Sequence, residues 1–102
     1  MAEQGCTSGG APEVDLGDLC QDAGARAYAL RSMVCFHGVQ QRHPASLGGH
    51  YVAYVWSSAD CAWLLFDDAM VSRVGTWAAV RNRIKGEDGP QPSMLFFGPV
   101  LQ

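Results

Sequence analysis

The chain has 102 residues and a mass of 11.0 kDa, which allows one domain with a modest core and no more. Hydrophobic residues make up 48% and charged residues only 17%, a balance that excludes a disordered tail and a polyelectrolyte. A net charge of -3 and a pI near 5.4 leave no footprint for nucleic acid, and no apolar run is long enough to span a membrane. The polar, Gly-rich residues 1–10 do not read as a signal peptide. So low a charge count points to a surface that expects a partner, including a missing part of the same polypeptide.

Charge divides the chain. Residues 1–25 carry Glu3, Glu13, Asp15, Asp18 and Asp22 with no base, whereas residues 26–102 carry a small excess of Lys and Arg. The expected organisation is a flexible acidic segment over 1–25 followed by one folded unit over 26–98. MAEQGCTSGGAP holds nothing to offset the entropy of ordering. Val14, Leu16 and Leu19 beside acids suit a short strand or turn leading into the body.

The body reads as strands. Tyr28–Phe36 alternates with period 2 and is rich in β-formers. A polar loop over His37–Gly49 follows, with Pro44, Gly48 and Gly49. Tyr51–Trp56 and Trp63–Phe66 read as a hairpin joined through Ser57–Asp60. Asp67 and Asp68 turn the chain into Val71–Val74. Thr76 is the expected N-cap of a single helix whose Trp77, Val80 and Ile84 share one face. Gly86 is its expected stop, and Met94–Phe97 is a last strand. The fold class is α+β, a mostly antiparallel sheet with one helix.

Gly48-Gly49-His50-Tyr51 and, one hairpin later, Phe66-Asp67-Asp68 carry the chemistry. Paired glycines let the backbone pass close to a substrate and tighten the turn before the histidine. The hairpin sets the start of one strand beside the end of the next, within reach of Asp67. A carboxylate on one ring nitrogen fixes the tautomer and leaves the other nitrogen to take a proton from a nucleophile. Cys6, Cys20, Cys35 and Cys61 show no C-x-x-C and no zinc-ligand spacing, and read as reduced thiols, Cys35 and Cys61 inside strands. No cofactor or metal site is expected.

The ordered set YALRSMVCFHG, GGHYVAYV, WLLFDDAMVSRV and PSMLFF resembles the C-terminal His-box region of the ubiquitin-specific proteases, over about Tyr28 to Phe97. These are papain-like cysteine deubiquitinases. VGTW, IKG and QP are further similar to the divergent, often inactive branch of that family. The resemblance implies the palm portion of the catalytic domain, an intracellular place in cytoplasm or nucleus, and ubiquitin or ubiquitinated proteins as partners. It implies that His50 is the catalytic histidine, Asp67 the third triad member and Asp68 a supporting acid. Gly48 and Gly49 match the stretch beside the channel for the Gly-Gly tail of ubiquitin, and His37 a histidine near that tail. Tyr51 would line the same channel.

The departures matter as much. The Asn/Gly-rich Cys box of the family has no match in this sequence, and neither Cys6 nor Cys20 has matching neighbours. The zinc-ribbon cysteines are missing too. The first reading is therefore a His/Asp segment of a cysteine-type deubiquitinase, inactive alone, its nucleophile on an upstream region. The second is a truncated, catalytically inactive ubiquitin-binding or scaffold protein. Tyr51, Tyr54, Trp56, Trp63, Phe66, Phe96 and Phe97 read as core and cross-strand partners, with channel lining as the alternative for Tyr51. Arg73, Arg81, Arg83 and Lys85 read as a solvated face, and His43 as a loop residue.

Overall fold

The computed structural model describes residues 10–15, 27–38, 49–85 and 89–100. Strand β1 is Glu13–Asp15, β2 Ala27–Gly38, β3 Gly49–Ser57, β4 Ala62–Asp67 and β5 Met70–Gly75; helix α1 is Trp77–Ile84 and β6 Gln91–Pro99. All pair antiparallel in one sheet, in the order β1-β2-β3-β4-β5, with β6 on β2. The architecture is the mostly antiparallel α+β expected. Leu16, Leu19, Cys6, Cys20, His43, Gly48 and Gly86, named above, lie outside the described residues. Among the described residues no helix is long and apolar enough to cross a membrane.

The sheet is built from two kinds of connection. Between β3 and β4 the Ser57 hydroxyl donates to Asp60 Oδ2 at 2.8 Å and accepts from the Asp60 amide at 3.2 Å, which closes the turn on itself. Between β4 and β5 only Asp68 and Ala69 intervene, and Asp68 takes φ 55°. An aspartate tolerates that left-handed conformation because its short carboxylate can bond locally.

Period-2 alternation sorts the side chains. Met33 and Cys35 on β2, Val52, Tyr54 and Trp56 on β3, and Trp63 on β4 are buried in one cluster with Val80 of α1. The register pairs Met33 with Tyr54 and Trp56 with Trp63, so these residues share one face of the sheet. Helix α1 covers that face. The Thr76 hydroxyl accepts from the Ala79 amide at 3.3 Å, and Trp77 and Ile84 flank the buried Val80 as their spacing predicted. Trp63 lies between Trp56 and Trp77, with ring centroids 6.1 and 5.4 Å away.

Two bulges interrupt the β2–β6 ladder. Leu30 opposes Phe97 while Ser32 opposes Phe96, which makes Arg31 an extra residue on β2. Its Nη2 donates to the Pro99 carbonyl at 2.9 Å. Ala29 and Leu30 are both buried on the near side of this break, so a strict alternation over Tyr28–Phe36 does not hold.

Several expectations are corrected. Phe66, Phe96 and Phe97 are exposed rather than core; Phe66, opposite Ala53, and Phe96, opposite Ser32, lie on the sheet face away from the helix. Cys61 sits in the turn before β4 with φ 53°, not in a strand, and is disulfide-bonded rather than a reduced thiol. Gly10–Asp15 is laid against β2, with Val14 in a short strand of the kind its sequence suits. The Pro12 carbonyl accepts from the Leu30 amide at 2.9 Å, β1 pairs with residues 27–29, and Ala11 joins the core.

Candidate active site

The site forms where β3 begins and β4 ends. Ala53 opposes Phe66, so Val52 and Asp67 come next along the same ladder, with His50 one step beyond on the same face. Across that corner His50 Nε2 lies 2.9 Å from Asp67 Oδ1, although 17 residues separate them. An ionised carboxylate only accepts, so Nε2 carries the proton and donates. Nδ1 is then the ring nitrogen with a lone pair, available to take a proton from a group placed before it.

The pair occupies the uncovered end of the core face. Side-chain exposures of 45% for His50 and 42% for Asp67 leave the ring accessible. Asp68 follows on the two-residue turn, and a nitrogen of His50 and an oxygen from each aspartate all lie within 4.8 Å of one another. Such spacing would also suit a metal ion, but exposed acids cluster this way without one.

The neighbouring strands complete the surroundings. His37 on β2 is the direct cross-strand partner of His50, with ring centroids 5.9 Å apart and planes 11° from parallel. Gly49, opposite Gly38, takes φ 153°, a backbone region that a Cβ disfavours. Tyr51 does not join them. Being next to His50 in a strand, it projects from the opposite face and packs edge-on against Phe36 at 5.2 Å. The contact with Phe36 makes Tyr51 a cross-strand partner, as one of its expected readings had it.

Beside Asp67 the face sinks into an open cleft of about 230 Å³ lined by His37, Val52, Tyr54, Leu65, Asp67, Arg83 and Pro90. Burial pushes the Tyr54 phenol above its ordinary value, and the Arg83 guanidinium, hydrogen-bonded to it, pulls it partly back. Cys35, fully buried beneath the same face, is pushed up to about 11 by desolvation, so its thiol is no nucleophile at neutral pH.

Arg83 and Tyr54 are the residues sequence reasoning missed in this role. The only local signal was that Arg83 stands three positions after the buried Val80, at the border of the buried helix face. That its guanidinium meets a phenol on β3 is a tertiary fact.

As a chemical arrangement this is an imidazole held on strands, with a carboxylate on one ring nitrogen and the ring partly open to solvent. The family model described as ubiquitin carboxyl-terminal hydrolase matches residues 7–97, a span that begins ahead of β1 and ends in β6. No curated protein matches the chain. The chain belongs to the ubiquitin carboxyl-terminal hydrolase family.

Proposed function

We propose that the chain supplies the histidine and aspartate of a cysteine-type deubiquitinase site, which cleaves the isopeptide bond after ubiquitin's C-terminal glycine. The nucleophile is then carried by an upstream Cys-box region outside these residues. The observation that carries the reading is the 2.9 Å bond from His50 Nε2 to Asp67 Oδ1, with Nδ1 left open on the uncovered end of the sheet.

In the working site His50 Nδ1 takes the proton of the incoming thiol, and the thiolate attacks the isopeptide carbonyl. Asp67 holds the ring and balances the imidazolium that forms. His50 then returns the proton to the leaving lysine amine. Water, activated by the same nitrogen, hydrolyses the acyl intermediate and frees ubiquitin. Asp68 supports the charge of the site, while Gly48, Gly49 and His37 border the path of the tail.

On this reading the 102 residues alone do not catalyse. A ubiquitin probe with a thiol-reactive C-terminus should leave the isolated chain unlabelled. Robust labelling of Cys6 or Cys20 would overturn the assignment of the nucleophile to another region.

A second reading, an inactive ubiquitin-binding or scaffold protein, draws on the lack of a Cys-box match in the sequence. Titrating ubiquitin onto the labelled chain by NMR tests it. Shifts confined to the surface around Gly49, His50 and His37 favour it, and unshifted spectra at millimolar ubiquitin sink it.

A further inference from the structure

We propose that Met70 is the contact for the leaving side of the substrate, its thioether lying along the aliphatic stem of the acceptor lysine. The inference rests on the reading of His50 and Asp67 as the working pair and of Gly49 and His37 as the border of the tail. It adds the other half of the substrate.

Four strands each contribute one residue to a row across the open end of the core face. His37 on β2 is the direct partner of His50 on β3, His50 bonds Asp67 on β4 at 2.9 Å, and Asp67 is the direct partner of Met70 on β5. Directly opposed residues of an antiparallel pair point to the same face, so Met70 shares the face of Asp67 and His50. Only Asp68 and Ala69 separate Asp67 from Met70, and that tight turn fixes the two side by side.

A scissile bond placed at His50 has substrate running away from it on both sides, and the two sides of the row differ in chemistry. Between β2 and β3, just past the two histidines, Gly38 and Gly49 oppose each other and leave a strip of bare backbone, which suits a Gly-Gly tail. At the β5 side stands Met70, 67% exposed, more than any other large apolar side chain among the described residues. Single exposed apolar residues are common on proteins, but this one ends the row that holds His50. A lysine brings a four-carbon stem that gains by lying on apolar surface. Methionine can follow such a stem in several conformations, being unbranched and polarisable. Two strand spacings put β5 about 10 Å from β3, a span that a lysine side chain with its own backbone covers.

The test is NMR of the full chain labelled at its methionine methyls and histidine rings. Nε-glycylglycyl-lysine, acetylated and amidated on its backbone, carries both halves of the substrate. It should shift the Met70 methyl together with the His50 and His37 rings. Met94, 56% exposed on β6 opposite Val34, lies on the other face and should stay in place, as should the buried Met33. Glycylglycine methylamide, which has the tail without the stem, should move His37 and leave Met70 where it is. Met70→Gln should weaken the lysine probe about fourfold, the size of one lost methylene contact, and Met70→Leu should keep its affinity. Both replacements fall at an exposed position, and an unmoved Met33 methyl checks that the variants are folded.

If the lysine probe moves His50 while Met70 moves no more than Met94, the Met70 contact is overturned and the His50–Asp67 pair stands. Equal affinity of Met70→Gln and wild type has the same meaning. If neither probe moves His50 at high millimolar concentration, the reading of the pair itself fails and the Met70 contact falls with it.

Discussion

His37 and His50 face each other across β2 and β3, and their rings stack 5.9 Å apart and 11° from parallel. The His50 ring is thus held on an edge by Asp67 and on a face by His37. Since a strand pair at the end of a sheet frays easily, such a contact also helps to pin the corner. His37→Ala should cost about 0.5 kcal/mol of stability, as an ordinary cross-strand pair does. His37→Phe, which keeps a flat ring, should recover most of that. Urea denaturation of the three proteins decides the matter, and an unchanged midpoint for His37→Ala would remove the stack as a support.

Trp63 is fully buried, yet its indole Nε1 has no hydrogen-bond partner among the described residues. An orphaned donor in an apolar core costs roughly 1–3 kcal/mol, which offsets part of what the ring contributes by packing. Trp63→Phe gives up some contact with Trp56 and Trp77 but also gives up the orphan. The two should nearly cancel, leaving stability within about 1 kcal/mol of wild type. Trp63→Ala has no such compensation and should cost about 3–5 kcal/mol. Equal losses in both variants would mean that the indole N–H is satisfied in solution.

Much of this arrangement was legible in the chain. Strand β2 announces itself by a mostly alternating pattern, β3 by its β-branched and aromatic residues, β4 as the return of a hairpin, and α1 by Thr76 with the spacing of Trp77, Val80 and Ile84. The meeting of His50 and Asp67 follows from hairpin geometry once the turn after Ser57 is recognised. What failed was long-range or subtle. That β6 pairs with β2, some sixty residues earlier, leaves no local mark, so the exposure of Phe96 and Phe97 could not be foreseen. The bulge at Arg31 breaks the buried pattern where composition shows nothing unusual.

Strand β6 should govern the solution behaviour of the chain. Among the described residues it pairs only with β2, and Met94, Leu95 and Phe96 are each half-exposed or more. Gln91–Pro99 contains no charged residue, so between Pro92 and Pro99 the edge has no charge to discourage pairing with other strands. Concentration-dependent self-association is expected, visible by analytical ultracentrifugation. Leu95→Lys or Phe96→Lys should suppress it while changing stability by less than about 0.5 kcal/mol, as for other exposed positions. If both lysine variants associate as wild type does, the sticky surface lies elsewhere.

Cys35 sets the response to alkali. Burial raises its thiol from 9.0 to about 11 in the folded chain. Between those values the unfolded chain has already lost this proton while the folded chain keeps it, so rising pH favours unfolding. Stability is therefore whole below pH 9 and declines toward pH 11; the two units correspond to roughly 2–3 kcal/mol if the group acted alone. Tyr54, also raised by burial, adds to the decline at the upper end with the same sign. Cys35→Ala should flatten the pH 9–11 portion of the curve without abolishing it. The same burial predicts that a thiol reagent at pH 8 modifies Cys35 only after urea unfolds the chain, as peptide mapping would show. Rapid modification in the absence of urea would mean that the face beneath the His50–Asp67 corner opens on its own.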